Sequence, residues 1–496
     1  LFFILFIFIL ILNYFKPQNN VQDCRPTYDK VKKWFEEHQT EAKQEEYFKQ
    51  NTENKINIVF WHNLYPEEEE ALKGIIEKFE KQYPRIKVIA THKGNWFQII
   101  RSVANALPVN KQPHLVVSYP DYIEFYSKSH KVVPLNEFFI EKDEVFKKEK
   151  DQIFTYFLPP DGTEKNYLPF LKTTEVIFYN KDLLKKIYSE ELRDLIGKDG
   201  SITKEIITWE DLKRICKTLK KFNQKDDFIP IIVESENNLI NYNYRYKYLN
   251  EHGKEFPTTK EEAQELLQKH EPLSETIKYF KNFYDEKFLT TPILNKENKD
   301  VKDLFAKQKS CIFISSTRRT NNFFNLEFEL GLHQSPIFDV EVKDEFKDEF
   351  KGFNLVQGSN INLFYSPIED EMIASWMFLK HLITKDTYKK LFDEKSGLCI
   401  VRKDLKTLLK EQQKQQKNKP SQKENKGKEF VKFKFLEFAL EQKAFFTTPV
   451  FEDVCILRDL FRDLFIKILT LEVKREELNE QIDYLFQETY KRFATI

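Results

Sequence analysis

Three short apolar runs, INIVF (56–60), IKVIAT (86–91) and HLVVS (114–118), alternate with two stretches whose apolar residues recur at helical spacing. That alternation leaves few architectures open. The first intervening stretch places Pro66 at a helix start and Glu67 to Glu70 on the first turn, where the helix dipole favours negative charge. Ala71, Leu72, Ile75, Ile76, Phe79 and Tyr83 then form one apolar stripe, and Pro84 ends it. The second predicted helix covers 96–107. A β-α-β-α-β order implies parallel strands, right-handed crossovers and helices on both faces, an arrangement that binds ligands beyond the carboxyl ends of its strands.

Those strand ends carry Trp61, His62, Asn63 and Tyr65, then Gly94, Asn95 and Trp96, then Tyr119 and Asp121. Aromatics alternate with short polar groups. Flat rings stack on the C–H faces of a sugar while Asn and Asp share hydrogen bonds with its hydroxyls, so the pattern points to a small polyhydroxy ligand.

A second cycle opens with LPFLKTTEVIFYN (168–180), followed by a helix capped by Thr208, in which Trp209 reads as a packing residue. It continues through CIFIS (311–315), NINLFY (360–365) and the helical MIASWMFLKHLI (372–383). Two α/β lobes are implied for the 496 residues. Residues 343–353, KDEFKDEFKGF, read as a solvated loop or strand edge, and 410–429 as a disordered polar insertion. The tail from Ile456 to Phe493 is helical in pattern.

Residues 1–12, LFFILFIFILIL, predict a signal or anchor within a hydrophobic segment at 1–16, with a polar stalk or first polar helix at 17–53. Export to the outer face of a bacterial membrane follows as an expectation. Lys plus Arg and Asp plus Glu number 79 each, so no net field draws the chain to nucleic acid. The five Cys (24, 216, 311, 399 and 455) are scattered, with no metal-ligand spacing, and suit small core positions. No GxGxxG, Walker A, GxSxG or HExxH motif occurs. The expectation is a protein that is not an enzyme, with neither cofactor nor metal.

Several segments together resemble the extracellular solute-binding proteins of ABC importers, in the carbohydrate and glycerol 3-phosphate branch. They are INIVFWHNLYPEEEEALKGIIEKFEKQYPRIKV (56–88), KGNW (93–96), LPFLKTTEVIFYNKDLLKK (168–186), TWEDLKRICKTLK (208–220), SCIFISSTRRTNNF (310–323), QGSNINLF (357–364) and SGLCIVRKDL (396–405). The resemblance covers roughly 54–490 and implies an α/β, two-lobe, type II periplasmic-binding fold, hinged, with a helical C-terminal segment. Lobe I is expected over 54–167 plus about 318–357, and lobe II over 168–317 plus 358–496.

Carried over by position, the ligand loops fall on Trp96, Asp121, Thr173, Thr174, and Thr317 or Arg318, with Gly358 and Ser359 in the later crossover. Trp61, Tyr65 and Tyr119 join them from the strand ends, and Phe446 from the late loop KAFFTTP (443–449). There the glycerol 3-phosphate branch leads one to expect an Arg, and an expected Tyr is Leu398. Losing a bidentate phosphate partner favours a neutral sugar or glycerol diester, although Arg318 and Arg319 can supply positive charge.

The resemblance thus implies a monomeric receptor, tethered through its N-terminal segment, that closes on a carbohydrate-like ligand and presents it to ABC permease subunits. Two alternatives stand beside it. One is a surface interaction protein on the same fold without a transport ligand, and the other a secreted glycosidase.

Overall fold

The computed structural model describes residues 25–50, 52–135, 143–159, 166–295, 300–338, 342–349, 354–395, 397–417, 427–442, 445–451, 453–474 and 476–495. The hydrophobic segment at 1–16 and Cys24 lie outside them. In chain order the strands are β1 (Ile56–His62), β2 (Ile86–His92), β3 (Leu115–Ser118), β4 (Leu168–Thr173), β5 (Glu175–Asn180), β6 (Ile231–Val233), β7 (Leu289–Thr290), β8 (Ile312–Ser316), β9 (Leu330–Gln334), β10 (Asn354–Leu355), β11 (Gln357–Leu363) and β12 (Phe445–Phe446).

The chain divides into two compact units. Unit 1 takes the described residues up to Lys172 and those from Gly358 to Lys417. Its sheet has the order β2-β1-β3-β11-β4, with β1 parallel to β2 and β3, and β11 antiparallel to β3. The connecting helices are Pro66–Gln82 and Trp96–Ala106, within a residue of the sequence expectation. Helix Glu369–Leu382 runs through the core, with every residue from Met372 to Lys380 buried. Lys380 brings a charge into that core. Its Nζ donates to Asp143 Oδ2 and Gln44 Oε1, both at 2.8 Å, and Trp376 Nε1 donates to the same Asp143 oxygen at 3.0 Å. A buried cation is tolerated because a carboxylate pairs with it and an amide oxygen accepts a second of its protons.

Unit 2 takes Thr173 to Gln357 and the described residues from Gly427 onward. Its sheet has the order β7-β6-β8-β5-β9, with β6 parallel to β7 and β8, and β5 antiparallel to β8 and β9. A phenylalanine cluster of Phe178, Phe305, Phe313, Phe323 and Phe328 fills one face. Trp209 packs edge-on to Phe280 with ring centroids 4.8 Å apart, and its Nε1 donates to Asn243 at 2.8 Å, the packing role expected. Strands β10 and β12 form a separate parallel pair.

Four expectations change. Residues 318–338 stay with unit 2, because β9 pairs with β5 there, while 358–417 return to unit 1, because β11 pairs with β3. The described part of the proposed stalk is two helices, Arg25–Glu37 and Glu41–Lys49, that bury Val31, Trp34, Phe35 and Phe48. Their polar composition hides a narrow apolar stripe, and Arg25–Glu37 packs against helix Glu369–Leu382. Much of the 410–429 insertion is helical, since Lys403–Lys417 and Lys428–Glu441 run into it, and residues 418–426 fall outside the description. Asp344–Glu349 coils into a 3-10 helix, and 350–353 fall outside the description. The C-terminal tail is two helices, Val454–Leu469 and Leu478–Ala494. Among the described residues no helix is long and apolar enough to cross a membrane.

Candidate functional site

The site builds on the carboxyl end of the unit 1 sheet. Trp61 is level with Val116 across β1 and β3, and Asn360 with Ser118 across β11 and β3. Asn63 follows β1 directly at that same end of the sheet. Asn63 Oδ1 is buried without a hydrogen-bond partner, as are both amide atoms of Asn360, which has no exposed surface at all. Its neighbours on the same face are satisfied. Ser118 Oγ donates to Asn362 Oδ1, and Asn362 Nδ2 donates to the Asn166 carbonyl at 2.6 Å. An unpaired buried polar atom costs about 1–3 kcal/mol, so three at one sheet end need partners that the described residues do not supply.

The end of β1 and the segments that follow β2 and β3 carry aromatics. Trp96 and Tyr119 lie with ring centroids 4.1 Å apart at 48°, both half-buried. Trp96 opens helix Trp96–Ala106, whose capping box of Asn95 and Gln98 (3.1 and 2.8 Å) fixes where the indole leaves the backbone. Asp121 is buried on the first turn of helix Pro120–Ser127. Trp61 is half-exposed with Lys93 Nζ 4.0 Å from its ring centroid, and Tyr65 is 37% exposed with Lys395 Nζ at 5.0 Å. His62 is pushed down to about 4 by burial, so it is a neutral imidazole at pH 7.

Strand β4 adds Lys172, which sequence reasoning missed. Among the described residues its Nζ reaches only the Gly358 carbonyl, at 3.5 Å, and burial pushes it down to about 7. Gly358 takes φ +85°, open to glycine without strain, where the chain passes from one unit to the other, and Ser359 beside it is buried.

Unit 2 presents its own group at the start of β5. The Thr174 N–H donates to Thr317 Oγ1 at 3.2 Å and the Thr317 N–H returns a bond to the Thr174 carbonyl at 2.8 Å. Thr174 Oγ1 is buried without a partner. Thr173 is buried at the end of β4, and half-buried Arg318 donates its N–H to Ser316 Oγ at 3.3 Å. Glu175, also missed, is raised to about 7 by burial, against a 2.9 Å bond from Asn238 Nδ2 that favours its charged form. Nearby Glu234 adds repulsion but is held by Ser315 Oγ and Arg319.

Phe446 is not with this group. It sits on β12, outside the main sheet, with the Arg245 guanidinium 3.6 Å from its ring centroid. Arg245 is buried and paired with Glu255 and Tyr246 Oη, so the ring seals a structural ion pair. Leu398 is buried too.

Residues 74–420 match the family model described as bacterial extracellular solute-binding protein. The chain belongs to this family. The solute-binding protein is 24% identical over 177 residues to the sn-glycerol-3-phosphate-binding periplasmic protein UgpB of Escherichia coli, a match covering 35% of this chain and 38% of that relative. The matched part thus spans under two fifths of the curated relative. Among solved structures it is similar to an ABC substrate-binding protein of Listeria monocytogenes in complex with cycloalternan, with TM-score 0.65, 15% identity and coverage of 89% of this chain and 98% of that one. It is also similar to UgpB of Mycobacterium tuberculosis in complex with glycerophosphocholine, with TM-score 0.63, 12% identity and the same coverages. The fold of this solute-binding protein is therefore that of the two-lobe periplasmic binding proteins, as the resemblance implied.

Proposed function

We propose that this solute-binding protein is the receptor of an ABC importer, capturing a carbohydrate-like ligand, whether sugar, oligosaccharide or glycerol phosphodiester. The observations that support the reading are the buried, unpartnered amide atoms of Asn63 and Asn360 at the carboxyl end of the unit 1 sheet, and the Trp96–Tyr119 ring pair in the segments that follow β2 and β3. Amide groups want hydroxyls and the rings want a flat C–H face, which one sugar-like molecule supplies together. Thr174, Thr317 and Arg318 are the residues of unit 2 to test for ligand contact. The protein acts by binding, and no bond is made or broken. Membrane permease subunits are its partners, an N-terminal hydrophobic segment holds it at the outer face of the cell membrane, and it works as a monomer.

Thermal unfolding of residues 25–496 against sugars, oligosaccharides and glycerol phosphate esters tests this. A ligand at a hundredfold its Kd adds about 2.7 kcal/mol, enough to raise Tm by several degrees. Folded protein that no member of the panel stabilises would favour the surface interaction reading, and release of monosaccharide from an oligosaccharide would favour a glycosidase.

A further inference from the structure

Lysine is among the residues least often fully buried, and when buried it is nearly always paired with a carboxylate. Lys172 departs from that rule. It is 2% exposed on β4, makes no ion pair among the described residues, and has a single long hydrogen bond to the Gly358 carbonyl at 3.5 Å. The titratable group that acts on it is the Cys399 thiol, itself raised by burial and hence uncharged. Among the described residues nothing repays the cost of keeping this amine in the interior.

The carbonyl that Lys172 reaches belongs to β11, the strand next to β4. Two positions further along β11, roughly 7 Å at the rise of a strand, stands Asn360 with both amide atoms buried and unpartnered. An amine able to carry charge, an amide N–H donor and an amide oxygen acceptor thus share one stretch of two neighbouring strands. A neutral sugar can satisfy the amide. Its hydroxyls can accept from the amine but supply no counter-charge, which only an anion brings.

We propose that Lys172 and Asn360 anchor an oxyanion, phosphoryl or carboxylate, carried by the ligand, with the Asn360 oxygen accepting from an adjacent hydroxyl. The inference rests on the receptor reading and narrows its ligand to an anionic polyol. It also returns positive charge to a chain whose late loop holds Phe445 and Phe446 where an Arg was expected.

The test is calorimetric titration of the wild type and of Lys172→Met with glycerol 3-phosphate, glycerophosphocholine, glucuronate, inorganic phosphate, and neutral mono- and oligosaccharides. The first two against glucuronate separate a phosphoryl from a carboxylate source. Binding of an oxyanion compound that weakens at least about tenfold in Lys172→Met, while the unliganded variant melts no lower than wild type, supports the proposal. A structural lysine would lower that melting temperature instead. Titration of the wild type at pH 8 in two buffers of different ionisation enthalpy gives a second readout that needs no variant. Proton uptake on binding is expected, because the anion restores charge to an amine that is mostly neutral there, and its absence overturns the proposal. A neutral oligosaccharide bound equally by wild type and Lys172→Met overturns the oxyanion and leaves the receptor standing. Folded wild type that binds nothing in the panel removes both.

Discussion

Asn360 on β11 lies directly opposite Ser118 on β3, yet Ser118 spends its hydroxyl on Asn362 and leaves both Asn360 amide atoms unpartnered with no exposed surface. Two asparagines two residues apart on one strand thus have opposite fates. Asn362 is a structural bridge between β3 and the Asn166 carbonyl, and Asn360 is held open.

Replacing Asn360 by Leu, similar in volume, should raise the stability of the unliganded protein by about 1–2 kcal/mol, because two unsatisfied polar atoms leave the interior. Ligand affinity should fall in the same variant. Chemical denaturation and calorimetry on one preparation check both signs.

Trp96→Ala removes one ring of the Trp96–Tyr119 pair proposed to stack on the ligand. Loss of about 1–3 kcal/mol of binding is expected, with a melting temperature close to wild type, since the indole is only half-buried. Equal loss of stability and binding would make Trp96 a core residue.

Phe446→Ala should behave in the opposite way. It uncovers the buried Arg245–Glu255 pair and should cost roughly 3–5 kcal/mol of stability, while the affinity of folded protein for its ligand stays unchanged. Reduced affinity in folded Phe446→Ala would return that ring to the binding site.

Asp143→Ala tests the interior of unit 1. It leaves Lys380 without its carboxylate and Trp376 Nε1 without an acceptor, and should destabilise by about 3–5 kcal/mol in equilibrium denaturation.

Glu175 sets a pH dependence. Its folded value, raised to about 7, lies above the usual 4.5, so the folded state binds the proton more tightly than the unfolded chain. Its contribution is therefore most favourable below pH 4.5 and is lost as pH rises towards 7. Glu175→Gln should raise the melting temperature most above pH 7 and hardly at all below 4.5, read as the difference between wild-type and variant melting curves.

Much of unit 1 was legible because its first half repeats one rule, an apolar run followed by a capped amphipathic helix. Ile56–His62, Pro66–Gln82 and Trp96–Ala106 follow from spacing and capping chemistry alone. The partition between units was not legible, since whether NINLFY joins β3 or β5 depends on strand pairing that composition does not carry. The site divided in the same way. Trp96, Tyr119 and Asp121 are legible as candidates because loop aromatics and carboxylates at strand ends stand out. Lys172 and Asn360 were missed because they sit inside strands, where a polar residue in an apolar run looks like an outward-facing position. The signal was present: NINL alternates Asn with Ile and Leu in a strand buried along nearly its whole length, so its polar side faces the interior. An aromatic in a loop looks the same in sequence whether it meets a ligand or, as Phe446 does, an arginine.

The central claim is that the unpartnered amides of Asn63 and Asn360 wait for a ligand, and the position of a bound ligand in a crystal structure of the complex measures this directly. The account predicts ligand oxygens within hydrogen-bond distance of Asn63 Oδ1 and of the Asn360 amide, with a C–H face against Trp96 or Tyr119. A ligand seated elsewhere, with both amides still unpartnered, would contradict it.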